Sequence, residues 1–302
     1  MANTFPDLRG IITVLNTPFT TSGAVDHAAY GRHIAYAMDA GVSGFLAPAM
    51  AGEVDTLTDE ERLGLANTMV TAAQGRVPVI GCATATTADA RIRLAAELIA
   101  LGCDGVLVSI PYTTEAEYAR QVHAVAQIQP PFLMLQDWDA QGEGVPVPVI
   151  ARLFDEVDAF QCIKVEVRNA GRKYTAIQQA TDGNLQVSGG WAVIHMLEGL
   201  DRGVHAFMPT GLHRIYVEIF RQYQSGNRDT AKELFYRLLP VLVFTNQSLE
   251  MSIHFFKRLL FEQGIYQTPH LRSPELIPDD HEHRIMDELI HYAMALENKM
   301  KS

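Results

Sequence analysis

Lys164 and Glu166 stand two residues apart in the run Gln161-Cys162-Ile163-Lys164-Val165-Glu166, whose apolar and β-branched content reads as a short strand. Residues two apart in an extended chain share a face. If that face opens on an apolar recess, the charged form of the amine is disfavoured and a nucleophile for a ketone carbon results. The carboxylate one pleat away can then move a proton at the neighbouring carbon. As residue types alone, the pair reads first as a buried structural ion pair, because charged strand residues are mostly structural.

The elements that must hold this pair recur along the chain. Eight short apolar runs, Ile11–Thr17, Gly44–Ala49, Pro78–Ala83, Gly105–Pro111, Pro131–Asp137, Gln161–Glu166, Leu185–Gly190 and Ala206–Gly211, are each followed by turn residues and a stretch of helical period. Thr58 with Glu61 forms a capping box, Thr86 with Asp89 repeats that spacing, and Gly41, Gly75 and Gly102 fall where helices end. Eight strands alternating with helices predict an α/β fold, a (β/α)8 TIM barrel, over residues 1–212. From His213 the pattern is wholly helical, so residues 213–302 are expected as a helical extension packed on the barrel. It includes Asp229–Phe244 and Arg284–Met300, with Thr268–Asp280 as a connector. In such barrels chemistry sits at strand C-termini and the loops beyond them.

Composition narrows the function classes. The 302 residues are 48% hydrophobic and 20% charged, as in ordinary globular chains, and a formal charge of −11 argues against a nucleic-acid partner. Cys82, Cys103 and Cys162 cannot all pair and lack metal-ligand spacing. No leader pattern opens the sequence and no run approaches the ~20 apolar residues of a membrane span, so a cytoplasmic protein without membrane contact is expected. His281 and His283 are two apart, not the four that places two histidines on one helical face. No glycine-rich phosphate loop occurs. Neither a metal nor a cofactor is expected.

Five motifs in order carry a resemblance: Thr17-Pro18-Phe19; Gly52-Glu53 followed by Thr56-Leu57-Thr58-Asp59-Glu60-Glu61; Pro111-Tyr112; Ile163-Lys164; and Ser188-Gly189. Over about residues 8 to 250 the chain resembles the dihydrodipicolinate synthase and N-acetylneuraminate lyase family. That resemblance implies a class I aldolase-type barrel, with Lys164 as the Schiff-base residue and a homotetrameric assembly. The tyrosine–threonine–tyrosine relay of dihydrodipicolinate synthases is missing. Their Gly-Thr-Thr-Gly-Glu becomes Ala49-Met50-Ala51-Gly52-Glu53, their Pro-Tyr-Tyr becomes Pro111-Tyr112-Thr113, and the strand-five tyrosine aligns with Leu135. Neither Met nor Leu passes a proton. Gln136-Asp137, Lys164-Val165-Glu166 and Trp191 are instead similar to the 2-keto-3-deoxy-L-arabonate dehydratase subgroup, which carries Ser where this chain has Gly52.

The expected reaction is dehydration of a 2-keto-3-deoxy sugar acid, with Lys164 as nucleophile and Glu166 as proton carrier. Backbone N–H groups of Ala51 and Gly52 can meet the substrate carboxylate, and an ordinary turn is the competing reading. Glu53 reads as support for that loop. Asp137, on the face of Leu135, is placed at the substrate hydroxyls, with a helix cap or a basic partner as alternatives. Leu135, Ser188 and Gly189 join the expected pocket, and Tyr112 and Trp191 wall it. Two other functions stay open: a retro-aldol lyase releasing pyruvate, and a barrel that binds ligand without turnover.

Overall fold

Eight parallel strands close on one another in chain order: β1 (Gly10–Val14), β2 (Gly44–Ala47), β3 (Val79–Cys82), β4 (Gly105–Ser109), β5 (Leu133–Asp139), β6 (Phe160–Val167), β7 (Gln186–Gly189) and β8 (Ala206–Phe207), which pairs back to β1. The computed structural model describes residues 8–300 apart from 273 and 275. Between strands run α1 (His27–Asp39), α2 (Asp59–Ala73), α3 (Ala88–Ala100), α4 (Glu115–Ala126), α5 (Val147–Glu156), α6 (Ala170–Ala180) and α7 (Met196–Asp201). The expected (β/α)8 barrel is the observed fold. Among the described residues, no helix is long and apolar enough to cross a membrane.

The strands read as continuous apolar runs because both of their faces are covered. Ile12, Val14, Leu46, Ile80, Cys82, Leu107, Met134 and Cys162 fill the barrel interior. Their neighbours Ile11, Phe45, Val79, Val106, Leu133, Leu135, Ile163 and Val187 pack outward under the helices. The apolar runs overshoot the ladders: Thr17 and Gly211, predicted as strand ends, lie beyond β1 and β8. There the chain turns into loops whose residues are still buried at the barrel mouth, so burial outlasts pairing. Thr58 and Glu61 form the expected capping box. The next cap is Thr87 rather than Thr86, its hydroxyl accepting from the Ala90 N–H. Gly41, Gly75 and Gly102 all take positive φ at helix ends, where a side chain would be strained.

β5 and β6 are the longest strands, at seven and eight residues. Their register pairs Gln136 with Lys164 and Trp138 with Glu166, lifting these residues above the packed interior to the barrel mouth. After β8, α8 (His213–Gln224) packs on β1 and completes the outer ring. Three more helices follow, α9 (Arg228–Thr245), α10 (Leu249–Glu262) and α11 (Asp280–Asn298). α10 reaches the short 3-10 turn Met50–Gly52 above β2. The chain between α10 and α11 is fastened to the same rim, with Thr268 donating to Phe19 O and Arg272 gripping Glu61 through two 2.7 Å bonds. A helical turn is thereby held over the open end of the barrel.

Candidate active site

Lys164 projects inward from β6, and its Nζ lies 3.1 Å from Glu166 Oε2. Both are almost fully buried, yet both line a cavity of about 340 Å³ at the C-terminal end of the barrel. Pockets that hold small ligands start at roughly this size. Glu166 is fixed from two further sides. Gln136 Nε2 donates to Oε2 at 2.6 Å, and the Trp191 backbone N–H donates to Oε1 at 2.7 Å. Room for the carboxylate comes from Gly190, where a Cβ would overlap the Glu166 head group. Trp191 itself sits at φ +52 and stacks on Trp138 with ring centroids 5.1 Å apart. These two indoles form one wall, and the rest of the barrel-side lining is Val14, Ala49, Met50, Ala51, Met208 and Thr210.

Of the residues singled out from sequence, Lys164, Glu166, Ala51 and Trp191 meet at this cavity. Gly52 lies beneath it. Its N–H is taken by Ala49 O, and a Cβ there would press on Leu15 O, so the glycine serves close approach of the loop to the end of β1. Among the described residues, the Met50 and Ala51 N–H groups have no backbone acceptor, so Ala51 rather than Gly52 offers a donor. Glu53 is not among the described residues that line the cavity. Its carboxylate binds Lys257 of α10 and accepts from the Arg272 N–H at 3.0 Å. Burial pulls the Lys257 ammonium down to a pKa of about 8, against the opposing pull of Glu53.

Leu135 and Asp137 need correction. Strand parity puts both on the outer face of β5, because Met134 points inward; Leu135 is buried under the helices. Asp137 pairs with Lys173 of α6 at 2.5 Å and accepts from the Val145 N–H at 2.9 Å. Its basic-partner reading is the one that holds. Burial raises the Asp137 carboxyl above its ordinary pKa, with Lys173 acting against the rise. Ser188 points into the barrel but is fully buried, donating to Ile163 O at 3.1 Å. Gly189 faces the other way, toward Tyr174 and Phe207. Tyr112 stacks edge-on against Tyr118 in the helix-side core instead of walling the cavity.

The sequence reading missed two groups. Gln136 and Trp138 share the parity of Met134, which the structure turns inward; the β5 pattern groups the three on one face without saying that it is the inner one. The second group, Tyr216 with Thr245, Asn246, Gln247, Ser248, Leu249, Ser252 and Phe256, comes from α8 and the α9–α10 turn. Nothing local in the sequence marks it.

Residues 7–292 match the model of the Dihydrodipicolinate synthetase family. The chain belongs to that family. It is 29% identical over 296 residues to L-2-keto-3-deoxyarabonate dehydratase of Azospirillum brasilense, with 91% of each chain covered. To the 4-hydroxy-tetrahydrodipicolinate synthase of Oceanobacillus iheyensis it is 27% identical, over 79% of this chain and 83% of the relative. Among solved structures, the 4-hydroxy-tetrahydrodipicolinate synthase of Methylacidiphilum fumariolicum SolV superposes with a TM-score of 0.87 at 19% identity, covering 97% of this chain and 98% of that one. YagE, a prophage protein of E. coli K12 solved in complex with pyruvate, gives 0.86 at 22% identity, over 95% and 98%. At those identities the two structures speak for the fold. Membership in the dihydrodipicolinate synthetase family makes the protein a lyase.

Proposed function

We propose that the protein dehydrates a small 2-keto-3-deoxy sugar acid through a Schiff base on Lys164. The carrying observation is the Lys164–Glu166 contact of 3.1 Å, opening on a cavity whose remaining lining is uncharged. The neutral amine adds to the C2 carbonyl, and loss of water leaves an iminium that acidifies the C3 protons. Glu166 takes one of these protons. The enamine then expels the C4 hydroxyl, which leaves as water with the proton carried by Glu166. Hydrolysis of the imine frees the lysine. Gln136 and the Trp191 N–H hold Glu166 in place through this cycle. The substrate carboxylate lies against the open N–H groups of Met50 and Ala51, because among the described residues the cavity offers no cation besides Lys164.

Support for dehydration over synthase chemistry comes from the residues where the family relay would stand. Met50 lines the cavity, and the inward position on β5 is not the aligned Leu135, which faces the helices, but Gln136, bound to Glu166. The test is borohydride reduction with 2-keto-3-deoxy acids followed by peptide mass mapping. A tag on Lys164 is expected, and a tag on another lysine would refute its role. Product analysis decides the reaction: water loss conserves every carbon, whereas a retro-aldol split releases pyruvate.

A further inference from the structure

We infer that the α9–α10 turn is the specificity wall for the far end of the substrate, with Asn246 and Gln247 accepting hydrogen bonds from the hydroxyls of a neutral, polyhydroxylated tail. The inference rests on the Schiff-base reading above and adds which tails the site takes. Its starting point is charge. Among the described residues, Lys164 and Glu166 are the only lysine, arginine, histidine or carboxylate in the lining, and the reaction occupies both. Everything the α9–α10 turn brings to the cavity is neutral: Thr245, Asn246, Gln247, Ser248, Leu249 and Ser252.

Hydrogen bonding gives the wall a polarity. The Asn246 amide donates from Nδ2 to Leu242 O at 2.8 Å, and Gln247 donates from Nε2 to Phe244 O at 3.0 Å. Each amide is therefore fixed by its NH2 end to the last turn of α9, and neither Oδ1 of Asn246 nor Oε1 of Gln247 has a partner among the described residues. Thr245 spends its hydroxyl hydrogen on Val241 O, which leaves its oxygen as an acceptor as well. A wall of lone pairs welcomes alcohol O–H groups, which donate. It repels a second carboxylate or a phosphate, which at neutral pH brings further lone pairs and negative charge. Such an anion would also be desolvated in a cavity whose single cation is already committed to the keto end. Ser252 and Thr210, which can donate or accept, complete a lining suited to a run of hydroxyls.

The experiment measures borohydride trapping of the full chain against concentration for three probes. These are pyruvate, which has no tail, a 2-keto-3-deoxyaldonate with a neutral polyol tail, and a 2-keto-3-deoxyaldarate with a second carboxylate. Wild type is expected to half-saturate with the polyol acid at about one tenth of the aldarate concentration. Asn246→Leu and Gln247→Leu should each raise the polyol acid's half-saturation about 3- to 10-fold, the worth of one hydrogen bond, while pyruvate trapping stays put. Gln247 is exposed, so Gln247→Arg is tolerated by the fold, and it should draw the aldarate in. Equal trapping of aldarate and polyol acid by wild type would overturn the inference alone. So would leucine variants that weaken pyruvate and polyol acid alike. Failure of every probe, pyruvate included, would instead remove the Schiff-base reading underneath it.

Discussion

Two lysine–carboxylate pairs flank the wall made by β5 and β6 and differ in which side of it they occupy. Lys164 and Glu166 lie inside, 3.1 Å apart, at the edge of a cavity. Asp137 of β5 and Lys173 of α6 meet outside, 2.5 Å apart. Both pairs are buried to a similar degree, so neither residue type nor burial separates them. Their surroundings do. Every remaining bond of the outer pair goes to the β5–α5 loop, through the Val145 N–H and Glu143 O, which makes it a fastener. The inner pair leaves one direction open, toward space a ligand can fill. A charged pair becomes chemistry when the structure declines to finish coordinating it.

The contrast can be broken from its inner side first. Lys164→Ala is expected to abolish both turnover and borohydride trapping while the chain stays folded, because no other amine among the described residues lines the cavity. Glu166→Gln should lower kcat by about 10²- to 10⁴-fold, the span of positioned acid–base catalysis, and still trap substrate. A Glu166→Gln enzyme that turned over normally would place the proton carrier elsewhere. On the outer side the readout changes from rate to stability. Lys173→Met should cost about 3–5 kcal/mol in urea unfolding, since Asp137 is left buried without its partner. Adding Asp137→Leu should restore most of that loss, as replacing both members of a buried pair is often neutral. Trapping at Lys164 in the folded Lys173→Met protein is expected to persist, and its loss would mean the two pairs are not separate devices.

A third buried polar assembly sharpens the same distinction through pH. Outside the barrel, Thr13 contacts His213 Nδ1 at 3.2 Å, the two Nε2 atoms of His213 and His33 lie 3.2 Å apart, and His33 Nδ1 meets the Tyr266 hydroxyl at 2.9 Å. Tyr266 in turn donates to Asn16 O, and Asn16 holds Ala51 O on the cavity rim. Burial is the main cause that pulls His213 down to about 3 and His33 well below its ordinary value, so both are neutral in the folded state. Below about pH 6.5 the unfolded chain binds protons that the folded chain refuses, and stability falls as pH falls. The slope is about 1.4 kcal/mol per pH unit for each histidine. Unfolding curves at pH 7.5 and 5.0 should show that loss, and His213→Gln should flatten it. An unchanged slope would assign the acid sensitivity to other groups.

Much of the fold was legible because each strand carries its own signal. Eight apolar runs, a capping box at Thr58 and Glu61 and glycines at helix ends are local features, and all reappear in the barrel. Lys164 and Glu166 were legible for the same reason, since a spacing of two fixes a shared face. Leu135 and Asp137 were misplaced because parity says which residues share a face and not which face looks inward. When both faces of a strand are apolar, that choice leaves little trace in the residues themselves.

Sequence alone determined the repeated strand–helix rhythm and the shared face of Lys164 and Glu166, because period and spacing are properties of a chain before it folds. Tertiary structure decided which lysine faces a hollow, which one fastens a loop, and that the turn at Asn246 and Gln247 arches over Lys164 from about eighty residues away. Those outcomes depend on closing the barrel and laying α10 across its mouth. Both bring together groups whose separation along the chain carries no information about their separation in space.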